Sequence, residues 1–241
     1  MPRYPYLIVG GGMTGDAAVR GIRELDPKGA IGLISAEPDP PYARPPLTKA
    51  LWKGEPLESV WRKTSDLGGV DLLLGRRVTS IDLRSKMVKD DKGADYAFGK
   101  LLLATGGTPR QLAFGDERVI YFRTLGDYRR LRSLADQKKT FAVIGGGFIG
   151  SEIAAALAMQ NCKVTILFPD AGIGARLFPE ELANHLVGYY REKGVDARPG
   201  VQVTGLSDSG SQIAVEGKSG LRLVVDVVVA GIGITPNTDL A

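Results

Sequence analysis

The chain is short of the residues on which thiol and metal chemistry depend. Its 241 residues include one cysteine, Cys162, and one histidine, His185. A single thiol excludes an internal disulfide framework and any dithiol redox centre made within one chain. One histidine and one cysteine leave too few soft ligands for a transition-metal cage. Long apolar runs are missing too: nothing approaches the ~20 residues that a membrane span needs. Tyr6 to Val9 is strand-sized and cut off by glycines, unlike a signal-peptide core, so the expected compartment is the cytoplasm. Nor is there a block of like charge. The 31 basic and 27 acidic residues give a net charge of +4 and are dispersed, which favours an acidic partner weakly and does not point to nucleic acid.

Glycine is what the chain has in excess. It supplies 32 of the 241 residues, nearly twice the usual share of ~7%, and it is kept where backbone must turn sharply or approach something closely. The remaining composition, 44% hydrophobic and 24% charged, is that of a globular protein. The length allows one large domain or two small ones.

A repeat decides between them. The apolar run Tyr6 to Val9 ends in Gly10-Gly11-Gly12-Met13-Thr14-Gly15, a helix-compatible stretch follows from Asp16 to Leu25, and a second apolar run, Ala30 to Ser35, leads to Glu37, 22 residues past Gly15. The same order returns as Phe141 to Ile144, Gly145-Gly146-Gly147-Phe148-Ile149-Gly150, a helix from Ser151 to Gln160 and a strand from Lys163 to Phe168. There the acid, Asp170, lies 20 residues past Gly150. A further echo joins Leu101 to Pro109 with Val227 to Pro236, each an apolar strand entering a Gly/Thr/Pro turn. Strands are also expected at Asp71 to Leu74, Arg77 to Leu83, Val201 to Leu206 and Gln212 to Val215, and helices at Thr124 to Leu134 and Pro179 to Lys193. The fold predicted is α/β, with two Rossmann-like, three-layer ββα dinucleotide-binding domains, 1–113 and 114–241, divided near Ala113.

In such a loop the first glycine permits the turn, the second lets a pyrophosphate come close and the third lets helix pack on strand. The bare amides of the helix then face the phosphates. An acid about 20 residues on accepts hydrogen bonds from the adenosine ribose, the place of Glu37 and Asp170. One such loop is a weak signal. Two, each followed by an acid at nearly the same distance, suggest a relay between a nicotinamide coenzyme and a flavin. Arg176, six residues past Asp170, complicates coenzyme choice, although the acid favours NADH. Cys162, Trp52 and Trp61 read first as packing residues and His185 as a surface residue.

The segment Pro41-Tyr42-Ala43-Arg44-Pro45-Pro46-Leu47-Thr48-Lys49-Ala50-Leu51-Trp52, with both loops, Ala104 to Gly107 and Gly231 to Asn237, resembles the FAD-dependent pyridine nucleotide-disulfide oxidoreductases. It is most similar to their branch without a redox-active disulfide, the ferredoxin and rubredoxin reductases and apoptosis-inducing factor. The resemblance implies FAD on Gly10, Gly12 and Gly15, with Glu37 on its ribose, Arg44 near its pyrophosphate and Val78 reaching its adenine side. It implies NADH on Gly145, Gly147 and Gly150, with Asp170 on the ribose. Lys49, paired with Glu152, is expected beside the flavin as the catalytic pair, Thr105, Gly106 and Arg110 close over the flavin, and Gly233 borders the nicotinamide. The expected activity is NADH-dependent reduction of FAD with electrons passed to a ferredoxin- or rubredoxin-like acceptor. The alternative is an NADH-sensing interaction protein like apoptosis-inducing factor with slow oxidase activity, and a homodimer is left open. In the family a further stretch completes the FAD domain and a third domain follows; this chain stops at Ala241, so an incomplete FAD domain is expected, with the interface domain absent.

Overall fold

The computed structural model describes all 241 residues, the side chain of Ser219 excepted. Two compact units emerge. The first comprises Met1–Arg44, Pro56–Thr108 and Pro236–Ala241; the second comprises Pro45–Glu55 and Pro109–Thr235.

In the first unit six strands form one sheet, in the order Val70–Leu73, Ile31–Ile34, Arg3–Val9, Asp95–Leu103, Met87–Asp90, Val78–Asp82. The first four are parallel neighbours and the last three are antiparallel. The helix Met13–Leu25 makes the first crossover, because parallel neighbours cannot be joined by a tight turn. Its Val19 packs with Ile8, Ile31 and Leu33 on one face of the sheet, while Leu7, Val9, Ile34 and Phe98 fill a cluster with Val78 and Tyr96.

The second unit repeats the crossover. Its parallel sheet has the order Asp196–Arg198, Lys163–Leu167, Thr140–Ile144, Val227–Ala230, Val119–Tyr121. The antiparallel strands Val203–Ser209, Gln212–Gly217 and Arg222–Val225 pack on it as a third layer through Ile213, Val215 and Val225. Thr124 caps the helix Leu125–Asp136 in a reciprocal capping box with Asp127, which satisfies amides that a helix start leaves bare. Among the described residues no helix is long and apolar enough to cross a membrane.

Several boundaries differ from the sequence expectation. Both phosphate-loop helices begin earlier, at Met13 and Phe148. The strands Met87–Asp90, Val119–Tyr121 and Arg222–Val225 were not expected, being short and without a clear alternation. The cut near Ala113 moves to between Thr108 and Pro109, and the segment 45–55, expected in the first domain, packs with the second. Trp52 accounts for this. It is buried, lies edge-on to Tyr128 at 5.6 Å between ring centroids, and its carbonyl accepts from the Gln160 side chain at 2.8 Å. The chain's last residues, from Pro236, return to the first unit, so neither unit is continuous in sequence.

One buried acid gives this fold an acid-sensitive point. The Asp90 carboxylate accepts from Arg76 at 2.7 Å, Tyr96 at 2.9 Å, and the amides of Ala94 at 2.8 Å and Lys92 at 3.0 Å. Burial opposes its charge, but these donors outweigh it and hold its pKa at about 2. A carboxylate depressed in the folded state contributes stability that is present above its unfolded pKa and is lost as pH falls through the folded one. Denaturant midpoints measured between pH 5 and about pH 2 are expected to fall, and to fall less steeply in Asp90→Asn. Equal slopes would remove Asp90 from the cause.

Candidate functional site

Each unit carries a strand–glycine loop–helix turn, and the backbone shows why each glycine stands where it does. In the first loop Gly10 has φ +125°, and a Cβ there would lie 2.0 Å from the carbonyl oxygen of Ala104. A Cβ on Gly15 would lie 2.1 Å from the Gly10 oxygen. These two glycines are required by the protein itself. Gly12 is different: the nearest atom to a Cβ there is Arg44 Nη2, 4.0 Å away. Gly12 also precedes the helix as its N-cap and makes no side-chain cap, so the first-turn amides are directed to whatever approaches.

The second loop repeats this arrangement. Gly145 has φ +116°, with the Gly231 oxygen 2.4 Å from a Cβ; a Cβ on Gly150 would lie 1.9 Å from the Gly145 oxygen; one on Gly147 would meet nothing within 4 Å. The helix Phe148–Met159 likewise has no side-chain cap. In both units the first and third glycines close the turn and the second faces open space. That cradle, which a Cβ would fill, suits a dinucleotide pyrophosphate. The middle glycine of each triplet is also constrained, which the spacing argument missed. A Cβ on Gly11 would come within 2.6 Å of Ser35, and one on Gly146 within 2.7 Å of the Phe168 ring. The triple glycine in both loops was the visible signal.

The polar residues near the first loop form a connected set. Glu37 accepts from Arg44 Nη2 at 2.5 Å on one oxygen and from the Tyr42 hydroxyl at 2.5 Å on the other. Arg44 also lies over the Tyr42 ring, 5.2 Å from its centroid. Arg44 thus sits between the acid and the open side of Gly12, where its guanidinium can face a phosphate while bonded to Glu37. Each Glu37 oxygen keeps a further lone pair for a ribose hydroxyl. The Val78 side chain is buried in the sheet cluster, which leaves its main chain to meet an adenine.

A second acid in this unit was not foreseen. Asp16, the residue after Gly15, is fully buried and accepts from Arg20 at 3.0 Å, Arg62 at 2.8 Å and Thr64 at 2.8 Å. Burial works against its charge, yet the hydrogen bonds from Arg20, Thr64 and Arg62 hold it below the ordinary carboxylate range. It fastens the start of the helix to the 62–64 segment. The turn after Leu103 is fastened too: the Thr105 hydroxyl donates to the Asn237 carbonyl at 2.6 Å, the Asn237 side-chain amide donates back to the Thr105 carbonyl at 3.0 Å, and the Gly106 carbonyl accepts from the Asn237 amide at 3.0 Å. Gly106 has φ +67°. Asn237 joined the reading only as part of a turn motif, because its partner is 132 residues away.

In the second unit Lys49 and Glu152 meet as expected, Nζ to Oε2 at 2.7 Å. The same oxygen accepts from the buried Thr48 hydroxyl at 2.5 Å, so Glu152 is fixed by two donors that adjoin in sequence. Arg110 donates its amide to the Gly233 carbonyl at 3.0 Å, and Gly233 has φ +111°. Asp170 is joined by Arg176, Nε to Oδ1 at 3.4 Å. The residues weighed as packing or surface residues behave so: Cys162 and Trp52 are buried, burial raises the Cys162 pKa, and His185 is exposed. Among the described residues no cluster of His, Cys, Asp and Glu could hold a metal.

Comparison with known proteins agrees with this arrangement. The sequence pattern of the family described as pyridine nucleotide-disulphide oxidoreductase matches residues 4–241. Putidaredoxin reductase of Pseudomonas putida is 36% identical over 250 aligned residues, 98% of this chain and 59% of the relative. Peroxisomal monodehydroascorbate reductase 4 of Arabidopsis thaliana is 37% identical over 265 residues, 98% of this chain and 54% of the relative. Among solved structures, a covalent putidaredoxin reductase–putidaredoxin complex matches with a TM-score of 0.92 at 34% identity, over 100% of this chain and 61% of that one. The chain therefore spans about half to three-fifths of the length of these proteins. The family and its ferredoxin-coupled reductases use FAD and NAD(H). With its doubled glycine loop and a match over nearly its whole length, the chain belongs to the pyridine nucleotide-disulphide oxidoreductase family.

Proposed function

We propose that this chain holds FAD on Gly10, Gly12 and Gly15 and NADH on Gly145, Gly147 and Gly150, as part of an NADH-dependent flavoprotein reductase that delivers electrons to a ferredoxin- or rubredoxin-like acceptor. When bound, the nicotinamide supplies a hydride and the flavin can receive it and release electrons singly. The observation that carries the reading is the pair of loops in which the second glycine alone faces open space. The lone buried cysteine supports it, since this chain cannot supply a dithiol relay. Likeness to ferredoxin reductases, and to a putidaredoxin reductase solved in complex with putidaredoxin, favours this acceptor class over an NADH-sensing role like that of apoptosis-inducing factor.

The protein's own contribution is binding and placement. Glu37 and Asp170 accept from ribose hydroxyls, Arg44 balances phosphate charge, and the helix amides at Met13 and Phe148 complete the two anion sites. Lys49 is the candidate catalytic cation. A fixed ammonium stabilises negative charge that develops on a neighbouring ring, and Glu152, held by Thr48, orients the lysine.

The test is the visible spectrum of the purified whole protein. Flavin absorbance that bleaches on anaerobic NADH addition, with turnover on an added ferredoxin, is the expected result; a protein that takes up no flavin overturns the reading. Lys49→Met is expected to slow bleaching by about tenfold or more while leaving FAD bound. A variant with the parent's bleaching rate and flavin potential would return Lys49 to an ordinary surface charge.

A further inference from the structure

The second unit has a cleft away from its glycine loop. Strands Thr140–Ile144 and Val227–Ala230 run parallel, with Phe141 beside Val227 and Ile144 beside Ala230. Gly145 and the Gly231 carbonyl that backs it stand at the carboxyl end of this pair, whereas Thr140 and Asp226 stand at the amino end. Coenzymes of open α/β sheets bind outside the carboxyl ends of the strands. The cleft opens at the other end and encloses about 420 Å³, a size typical of small-molecule sites.

Its walls carry charge of both signs over an apolar floor. Ile213 and Val227 form the floor and are buried. Arg118, just ahead of the strand Val119–Tyr121, is pinned by two acids. Its Nε donates to the Asp116 oxygens at 3.0 and 2.9 Å, one N–H of Nη2 goes to Asp116 at 2.5 Å, and one N–H of Nη1 goes to Asp208. One N–H on each Nη is left over. Arg130, on the helix Leu125–Asp136, touches only the Glu117 carbonyl among the described residues, at 3.5 Å, too long to hold it. The acid of the cleft is Asp226. Its Oδ2 accepts from the Thr140 amide and hydroxyl, both at 2.7 Å, and its Oδ1 accepts from Gln212 at 3.0 Å, which leaves Oδ1 a lone pair. The Thr140 amide leads the donors that outweigh burial and hold this carboxyl below the ordinary range.

These groups are complementary to a zwitterion. Guanidinium N–H donors pair with a carboxylate, and a charged carboxylate with an ammonium. A simple anion would meet the charge of Asp226, and a simple cation that of the two arginines; a ligand bearing both ends escapes either repulsion. The exposed hydroxyls of Ser133 and Ser211 at the rim can serve both ends.

We propose that this cleft binds a free apolar α-amino acid, its carboxylate on Arg130 and Arg118, its ammonium on Asp226 and its side chain on Ile213 and Val227. The site is separate from whatever the Gly145 loop holds.

Calorimetric titration of the whole protein tests this with three probes of nearly one shape: L-phenylalanine, phenylpropionate, which lacks the ammonium, and phenethylamine, which lacks the carboxylate. Phenylalanine is expected to bind with a Kd of about 1 mM or tighter, and each analogue about tenfold more weakly, the loss of one charge-assisted contact. Saturating ADP should leave phenylalanine binding unchanged. Arg130→Gln, an exposed change that does not threaten the fold, should weaken phenylalanine about tenfold and leave phenethylamine as it was. Either analogue binding as well as phenylalanine overturns the proposal, as does displacement of phenylalanine by ADP. Absence of phenylalanine binding at several times that concentration, or an Arg130→Gln protein with the parent's affinity, also overturns it.

Discussion

Gly147→Ala is expected to keep the protein folded and to lose the coenzyme, while Gly150→Ala, three residues on, is expected to lose the fold. The new methyl at 147 meets no protein atom within 4 Å and lies at an N-cap with φ −82°, a conformation that alanine adopts without strain. It occupies the space through which a pyrophosphate must approach the first-turn amides, and its expected effect is roughly thirtyfold weaker ADP binding, about 2 kcal/mol. At 150 the methyl would stand 1.9 Å from the carbonyl oxygen of Gly145. Backbone cannot swing aside as a side chain can, so helix and strand must part, at a cost of about 3 kcal/mol or more. Guanidinium midpoints and ADP titrations of the two variants measure both effects. Unimpaired ADP binding by Gly147→Ala would mean that no phosphate approaches that face.

Asp16→Ala is the second large effect. Its carboxylate is fully buried and serves two arginines and a threonine from three places in the sequence. Removing it strands those donors, and broken buried ion pairs cost about 3–5 kcal/mol; because Arg20 and Arg62 are each more than a third exposed, about 3 kcal/mol is expected here. Asp16→Asn keeps the size and the contact with Thr64 and should lose less. The contribution follows the sign for a depressed acid: full above the ordinary carboxylate pKa and lost as pH falls through the lowered one. An Asp16→Ala protein with an unchanged denaturant midpoint near neutral pH would show that the helix start is held by packing alone.

Asp16 also marks where reading the sequence stopped. It follows Gly15 directly, yet nothing at positions 62 and 64 announces itself as its partner, since an arginine and a threonine in an irregular stretch have no period to detect. The same holds for Asn237 and Thr105, whose bond joins residues 132 positions apart. The burial of the Val78 side chain was not legible for a related reason. An apolar residue after Gly75-Arg76-Arg77 can turn to either face of a strand, and only the sheet's register, with its irregularity between Val78 and Ser80, sends it to the core. The glycines were legible because their constraint is local: a turn of five or six residues needs the same backbone conformation wherever it occurs.

By itself the sequence determined the doubled strand–loop–helix unit, the acid after each, the absence of a dithiol and the meeting of Lys49 with Glu152. These follow from short-range periodicity, steric limits on φ and the resemblance of a contiguous motif. Only the tertiary structure decided that Pro45–Glu55 packs with the second unit, that Pro236–Ala241 returns to the first, that Arg44 stands on Glu37 and that Arg176 stands on Asp170. Those choices depend on which buried faces and opposite charges find each other after the chain has crossed between units, information carried by no single stretch of residues.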